Sequence, residues 1–283
     1  MPGLQPSGER LLKILVVDRD DITAQMIAAR LEPVGHTVTH EPAKNVAPER
    51  LASGQHELIF VDPSPLTGAR QLILNLRRSV PKYPYVVLMG HEGTPDGAVR
   101  ESCNDFLAKP IDPEEVDRKV ENAQRLIKLI LRIRDEKEDF PSAGGVIAKS
   151  AFNQLFLSAI DRADRYGEST YLLLITLNNY THITSHDGQS AGDYAAAALS
   201  KYLVNLRRQS DIIGQTARNE FALLLQRPQF PNEPLEAAAR FAEALGKDGV
   251  FAGTSNTRPE LKVSLIDLPK GDLRAEHIIQ ARV

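Results

Sequence analysis

Three charged residues directly follow short apolar runs in the first half of the sequence. Asp18 follows ILVV, Asp62 follows LIFV, and Lys109 follows FLA. Runs this short, apolar throughout and rich in β-branched residues, are typical of buried parallel strands. Because parallel sheets place their sites at the carboxyl ends of the strands, we expect Asp18, Asp62 and Lys109 to lie at one edge of a sheet.

Arg208 and Asp211 form a second candidate site, between a predicted helix at 188–207 and a predicted strand at 211–216. A turn there would bring the two side chains together. Arginine can bind a phosphate through two parallel hydrogen bonds, and the neighbouring Arg207 adds positive charge. An arginine and an aspartate at this spacing also form surface pairs that contribute little to stability. The pair alone therefore leaves both interpretations open.

Two other residue types are less informative. His182 and His186 are four positions apart, but we predict a turn between them and find no third ligand, so no metal site is expected. Cys103 is the only cysteine. A single cysteine permits no intrachain disulfide and suits a reducing compartment.

The composition sets limits on the class of protein. A chain of 283 residues, 42% hydrophobic and 25% charged, is typical of one large or two ordinary globular domains. The net charge of −3 lacks the basic excess of a phosphate-backbone binder, so we expect no DNA partner. No apolar run approaches the roughly 18 residues needed to span a bilayer, and the N-terminus lacks a signal-peptide core. We expect a cytoplasmic protein.

The elements that position the first site alternate between strand and helix, which predicts an α/β fold with a doubly wound parallel sheet. A long helix follows, from Asp112 to about Glu138. An apolar stripe on this helix would face water in a monomer, so we expect a dimer there, with a solvated connecting helix as the alternative. The stripe consists of Val116, Val120, Ala123, Ile127 and Ile130.

The second half is predicted to form a second α/β domain with a mixed sheet. Its predicted helices are 150–166, 188–207, 233–246 and 273–282, and its predicted strands are 170–177, 211–216, 220–226, 249–254 and 261–267. The strands at 211–216 and 220–226 are separated by three residues, which predicts a β-hairpin.

The first half resembles the receiver domain of response regulators. ILVVD at 14–18, LIFVD at 58–62 and DFLAKPI at 105–111 follow the order and spacing of that family. The resemblance covers roughly residues 12–125 and implies a flavodoxin-like fold. It further implies that Asp62 accepts a phosphoryl group, that Asp18 belongs to the Mg²⁺ pocket, and that Lys109 contacts the phosphoryl group. The bond between Lys109 and Pro110 is implied to be cis.

Two positions depart from the receiver pattern. Arg19 replaces the second of two adjacent acids that hold Mg²⁺, which requires hard oxygen ligands. Met89 stands where a hydroxyl normally binds the phosphoryl oxygen, and a thioether cannot donate. We therefore expect no Mg²⁺ at the receiver site and a receiver fold kept as a dimerisation or docking module. Arg19 could instead pair with Asp62 or Asp18 and replace the charge of the metal. Phosphorylation of Asp62 is the alternative.

The second half resembles the GGDEF domain of diguanylate cyclases. RQSDIIGQTARNEF at 208–221 is similar to the segment in which an RxxD motif precedes the GGDEF hairpin by five residues. The resemblance covers about 145–283 and implies a nucleotidyl-cyclase-like α/β fold. ARNEF stands in place of GGDEF, and Thr176 in place of a metal-binding aspartate, which leaves Glu220 as the remaining acid. Two-metal chemistry needs paired carboxylates, so we expect no cyclase activity.

The nucleotide-reading positions are only partly retained. The asparagine that reads guanine in the family aligns with Thr184, whereas Asp193 keeps its position. The RxxD motif is the family's inhibitory site for cyclic di-GMP, and Arg208 and Asp211 match it. An arginine on the following helix completes that site, and Arg240 matches. Arginine can bind guanine O6 and N7, and aspartate can accept from the N1–H and N2–H₂ edge.

These patterns predict four segments: an N-terminal tail at 1–11, a receiver-like domain at 12–125, a linker helix and loop at 126–144, and a degenerate GGDEF domain at 145–283. The leading hypothesis is a non-catalytic cyclic di-GMP effector that forms a homodimer and signals through an unidentified protein partner. The alternatives are a scaffold or adaptor that binds no nucleotide and a response regulator driven by phosphorylation.

Overall fold

The computed structural model of the protein describes residues 10–64, 69–135, 138–140, 144–208, 210–247, 250–251 and 256–281. The chain divides into two compact units. The first contains the residues up to Ile130 with the short segments 162–167 and 269–271, and the second contains the remainder. Within the described ranges, no helix combines the length and the apolarity needed to cross a membrane.

The first unit is built on a five-stranded parallel sheet. Its elements are β1 (Lys13–Val17), α1 (Asp21–Leu31), β2 (Thr37–Glu41), α2 (Ala47–Gly54), β3 (Leu58–Val61), α3 (Ala69–Arg78), β4 (Tyr85–Gly90), α4 (Pro95–Arg100), β5 (Asp105–Ala108) and α5 (Pro113–Arg134), whose last residues, 131–134, belong to the second unit. The strand order is β2-β1-β3-β4-β5, and every pairing is parallel. This is the flavodoxin-like order, whose switch point lies between β1 and β3. The predicted doubly wound fold is confirmed.

Both faces of this sheet are buried, which explains why its strands are apolar throughout. Ile59 and Val61 of β3 pack into one hydrophobic cluster. Leu58 and Phe60 alternate with them and point to the opposite face, yet they are also fully buried. The charged residues that follow the strands therefore lie at the carboxyl edge of the sheet, beyond its buried faces.

The long helix α5 begins at Pro113, as predicted, and ends at Arg134 rather than at about Glu138. All five residues of its apolar stripe are at most 5% exposed within a single chain. The stripe is therefore not a free surface. We expected a dimer on this helix because its apolar stripe would face water in a monomer. That argument is wrong, because the stripe is already buried within one chain.

The elements after α5 form an α/β domain around an antiparallel sheet. They are α6 (Lys149–Tyr166), β6 (Thr170–Leu177), α7 (Tyr180–Asp187), α8 (Gln189–Leu206), β7 (Ile212–Ala217), β8 (Glu220–Gln226), α9 (Glu233–Leu245), β9 (Glu260–Leu268) and β10 (Leu273–Gln280). The strand order is β10-β9-β6-β8-β7. All pairings between these named strands are antiparallel, and in the described part of this domain the parallel pairing is confined to an isolated bridge between Ile147 and Gly214. The prediction of a mixed sheet is therefore wrong for the named strands.

Helices cover both faces of the second sheet. Leu173 and Ile175 of β6 pack with Leu199 of α8 and Phe241 of α9 in one cluster. On the other face, a Cβ added to Gly214 of β7 would lie 2.4 Å from the Phe152 ring of α6. Glycine at this position allows the helix to approach the strand closely.

The predicted final helix at 273–282 is wrong. Leu273–Gln280 is an edge strand that pairs with β9, and its residues alternate between half-buried and exposed. This period of two is typical of a strand with one buried face, and Ile279 packs against the domain core. The strand predicted at 249–254 lies mostly outside the described residues, and Val250 and Phe251 form a turn.

Candidate functional site

The first candidate site brings Asp18, Asp62 and Lys109 together. The ammonium group of Lys109 lies 2.7 Å from Oδ2 of Asp18 and 2.5 Å from Oδ2 of Asp62. All three side chains are at most 8% exposed. The predicted juxtaposition at the carboxyl ends of β1, β3 and β5 is thus present, while the roles of the three residues stay predictions.

Burial and hydrogen bonding act in opposite directions on these groups. Burial disfavours ionised Asp62, but hydrogen bonds from Lys109 and Ser64 outweigh it and hold the pKa of Asp62 below its ordinary value. Burial likewise disfavours charged Lys109, but hydrogen bonds to Asp18 and Asp62 raise the pKa of Lys109 above its ordinary value. Both partners are therefore charged at neutral pH. The Lys109–Pro110 bond is cis, as the resemblance implies.

The acids beside Asp18 are not arranged as metal ligands. Asp20 caps α1: its carboxylate accepts from the Ile22 amide at 3.0 Å and from the Thr23 hydroxyl at 2.8 Å. Arg19 is exposed, and among the described residues it makes no ion pair with Asp18 or Asp62. The alternative in which Arg19 supplies the cation is wrong, because Lys109 occupies that position.

A cleft of about 410 Å³ opens beside this cluster. Met89 is fully buried and lies outside the set of described residues that line the cleft, whereas His91 lines it. From the sequence, Met89 was the residue considered at the end of this strand, and His91 was missed. Residues that follow a strand can reach its carboxyl-end site, and that rule, extended two residues beyond Met89, would have found the histidine.

The hairpin between β7 and β8 surrounds a buried carboxylate. The side chain of Glu220 is 5% exposed. Its Oε1 accepts from the Thr216 hydroxyl at 2.6 Å, and its Oε2 lies 3.3 Å from the Thr176 hydroxyl. The Arg132 guanidinium lies 3.0 Å from Oε1. The sequence identified Thr176 and Glu220 but missed Arg132, which is 88 positions from its partner along the chain.

The positions expected to read guanine form a polar cluster between α7 and α8. Oδ1 of Asp193 accepts from the Tyr180 hydroxyl at 2.8 Å and from the Gln189 amide at 2.9 Å. Burial and then Asp193 raise the pKa of Tyr180. A Cβ on Gly192 would lie 2.4 Å from Cγ2 of Thr184, so the two helices meet closely at this point.

The RxxD motif forms a compact turn. The Asp211 carboxylate is buried and accepts from the Arg208 amide at 2.9 Å, while the Arg207 guanidinium donates to the Asp211 carbonyl at 2.7 Å. The Arg208 side chain is 55% exposed and ion-paired with Glu233 at the start of α9. Asp211 thus fixes the turn that presents Arg208.

A cleft of about 240 Å³ brings the second set of candidate residues together. Arg208, Asp211 and Arg240 all line it. Arg208 and Asp211 belong to the turn before β7, whereas Arg240 belongs to α9, 29 positions after Asp211 in the sequence. Arg227 also lines the cleft and was missed. It has a left-handed backbone with φ of 51° and is ion-paired with Glu168 at 2.9 Å.

The two histidines lie on one helix, α7, so the predicted turn between them is wrong. Their rings stack with centroids 4.1 Å apart. In the described part of the chain, no group of three or more histidine, cysteine or acidic side chains could hold a metal ion.

Comparison with known proteins assigns the second half of the chain to a domain family. Residues 142–264 match the family model described as Diguanylate cyclase, GGDEF domain. Together with the flavodoxin-like parallel sheet of the first unit, this match supports an architecture in which a receiver domain precedes a GGDEF domain.

Two curated proteins of known name align with parts of the chain. The response regulator PleD of Caulobacter vibrioides is 23% identical over 247 residues, which cover 82% of this chain and 52% of PleD. The nitrogen assimilation regulatory protein NtrX of Azorhizobium caulinodans is 25% identical over 155 residues, 53% of this chain and 34% of NtrX. The chain thus spans about half or less of these relatives.

Solved structures align with each half separately. A two-component response regulator from Clostridium difficile is 24% identical with a TM-score of 0.36, over 40% of this chain and 96% of that chain. The GGDEF domain of the Pseudomonas aeruginosa protein TpbB or YfiN is 20% identical with a TM-score of 0.38, over 43% and 70%.

Proposed function

We propose that this protein is a non-catalytic cyclic di-GMP effector. The observation that carries the proposal is the cleft of about 240 Å³ into which Arg208, Asp211 and Arg240 converge. These are the residues that match the family's inhibitory site. Cyclic di-GMP is a compact dianion with two guanine edges, so it needs both arginine donors and a carboxylate acceptor.

The chemistry of the cleft suits that ligand. An arginine can bind guanine O6 and N7 or a phosphate through two hydrogen bonds. The Arg208 side chain is exposed, and in the described part of the chain its carboxylate partner is Glu233, which a phosphate can replace. Asp211 already accepts the Arg208 amide, so its remaining lone pairs are the ones available to the guanine N1–H and N2–H₂ edge. Arg227 adds a further cation.

Loss of cyclase activity is part of the proposal. Ala217, Arg218 and Asn219 replace residues of the GGDEF hairpin, and Thr176 replaces a metal-binding aspartate. Asn219 donates from its side-chain amide to the Leu177 carbonyl at 3.0 Å, so it acts as a structural residue of the hairpin. One carboxylate cannot hold the two metals of a phosphoryl-transfer site.

We further propose that the receiver domain serves as a docking module, that the protein acts as a homodimer with a protein partner, and that it is cytoplasmic. Because Lys109 places one positive charge against both Asp18 and Asp62, part of the negative charge that Mg²⁺ would compensate is already balanced. The second candidate function is a phosphorylation-driven response regulator. It is favoured by the same observation, since Asp62 keeps the lysine contact that the family uses.

The test is calorimetric titration with cyclic di-GMP of the parent protein, of Arg208→Ala and of Arg274→Ala. Arg274 is a matched control, because it is also exposed and paired with one carboxylate, Asp272. We expect Arg208→Ala to weaken binding roughly tenfold or more and Arg274→Ala to leave it unchanged. Equal binding by all three would refute the site, and no binding by the parent would favour the scaffold alternative.

A further inference from the structure

Glu220 needs a positive partner, because its carboxylate is buried. Its side chain is 5% exposed, and an ionised carboxylate taken out of water costs several kcal/mol unless a countercharge compensates it. Arg132, in the last turn of α5, lies 3.0 Å away and provides that charge. Both residues belong to the second compact unit.

The resemblance to the GGDEF family implies a divalent metal bound by an acid of this hairpin. Glu220 is the acid that remains there, and the residues around it do not fit a metal. The two oxygens of Glu220 are engaged by the hydroxyls of Thr216 and Thr176, which are neutral groups that donate to the carboxylate. Mg²⁺ prefers several carboxylate or water oxygens in an octahedral arrangement. The guanidinium of Arg132 lies 3.0 Å from Oε1 of Glu220 and neutralises this carboxylate.

A second contact holds the same two segments together. Nε of Arg218, in the turn of the hairpin, lies 3.7 Å from Oε1 of Glu138. Thus Arg132, at the end of α5, pairs with Glu220 of the hairpin. In the opposite sense, Glu138, just beyond the helix, pairs with Arg218 of the hairpin. The second pair is exposed and contributes little, whereas the Arg132–Glu220 pair is largely buried on the Glu220 side.

We propose that Arg132 is a resident cation: its guanidinium takes the place of a metal ion at Glu220 and fastens the end of α5 to the hairpin. A covalently attached cation cannot be removed by a chelator or exchanged with solvent. The charge balance of the hairpin is therefore independent of divalent metal. This inference concerns the hairpin site and does not depend on nucleotide binding in the Arg208 cleft.

The test measures thermal unfolding with and without millimolar Mn²⁺. The parent and Arg132→Lys are expected to have a Tm that Mn²⁺ does not change. Arg132→Met, which keeps length but removes charge, is expected to lower Tm by several degrees, and Mn²⁺ is expected to restore part of the loss. Arg134→Met, an exposed residue of the same turn, is the control and should behave like the parent.

A second variant keeps the proposal testable if Arg132→Met folds poorly. Arg132→Met combined with Glu220→Gln removes both charges, so its Tm should exceed that of Arg132→Met alone and should not respond to Mn²⁺. The proposal would be overturned if Arg132→Met had the parent's Tm, if Mn²⁺ left its Tm unchanged, or if the double variant were no more stable than Arg132→Met.

Discussion

The Arg208 guanidinium is ion-paired with the Glu233 carboxylate inside the cleft that Asp211 and Arg240 also line. Glu233 additionally accepts from the Gln229 amide at 2.6 Å. This backbone hydrogen bond and then Arg208 hold the pKa of Glu233 below its ordinary value, so it is ionised at neutral pH. The Glu233 carboxylate is therefore bound to Arg208, the arginine that we propose binds the ligand.

Glu233→Gln should tighten binding of cyclic di-GMP by several-fold, because the ligand would no longer displace a carboxylate from Arg208. Calorimetric titration measures the change in Kd. Glu236→Gln is the matched control: it lies in the same first turn of α9 and is exposed, so it removes the same charge without the Arg208 contact. Unchanged or weaker binding by Glu233→Gln would contradict a competing role for this carboxylate.

The receiver cluster predicts a specific pH dependence of stability. The pKa of Asp62 is lowered from an ordinary 3.8, so its contribution is present above pH 3.8 and is lost as pH falls through the lower folded-state value. The pKa of Lys109 is raised from 10.5, so its contribution is lost only as pH rises beyond 10.5.

The measurement compares urea unfolding of the parent and Asp62→Asn at pH 3 and pH 7. The free energy of unfolding of the parent should fall more between pH 7 and pH 3 than that of the variant, which has no carboxylate to protonate at this position. Parallel losses by the two proteins would show that the Asp62–Lys109 contact does not favour the ionised form.

A phosphodonor should leave Asp62 unmodified. Lys109 is ion-paired with Asp62 and Asp18, Asp20 is engaged as a helix cap, and the buried Met89 provides no hydroxyl. After incubation with acetyl phosphate and Mg²⁺, intact-mass measurement should give the mass of the untreated protein. A stable gain of one phosphoryl group that is lost in Asp62→Asn would instead support the phosphorylation-driven alternative.

A buried ion pair lies in the first unit. Nζ of Lys119 lies 2.9 Å from Oδ1 of Asp105, and their side chains are 7% and 4% exposed. Lys119→Met should lower the free energy of unfolding by about 3–5 kcal/mol, because it leaves Asp105 buried without a countercharge. Arg118→Met is the control. It breaks an exposed pair with Glu115 and should cost at most about 1 kcal/mol.

Chemical denaturation measures both variants, and Lys119→Met with Asp105→Asn completes the comparison. The double variant should recover part of the stability lost in Lys119→Met, since no buried charge remains. If Lys119→Met were no less stable than Arg118→Met, the buried pair would not have the role assigned to it.

The fold was largely predictable where local pattern and tertiary environment agree. The strand β8 was predicted at 220–226 and lies at Glu220–Gln226, because its run is apolar and a turn precedes it. By contrast, β10 was predicted as a helix. Leu, Ala, Glu and Gln are good helix formers, and only pairing with β9 makes Leu273–Gln280 a strand.

The candidate sites were predictable from the sequence only in part. Asp18, Asp62 and Lys109 could be placed together because each follows a parallel strand. Arg132 and Glu233 could not be found, since their contacts with Glu220 and Arg208 depend on how helices pack against a hairpin or a turn. No spacing rule relates residues 88 or 25 positions apart in the chain.

The most direct test of the central claim is equilibrium binding of labelled cyclic di-GMP to the unmodified protein, with unlabelled cyclic di-GMP or GTP as competitor. The proposed effector should bind the label saturably at micromolar concentration. Cyclic di-GMP should displace the label, and an equal concentration of GTP should not. Absence of saturable binding, or equal displacement by GTP, would contradict the proposed function.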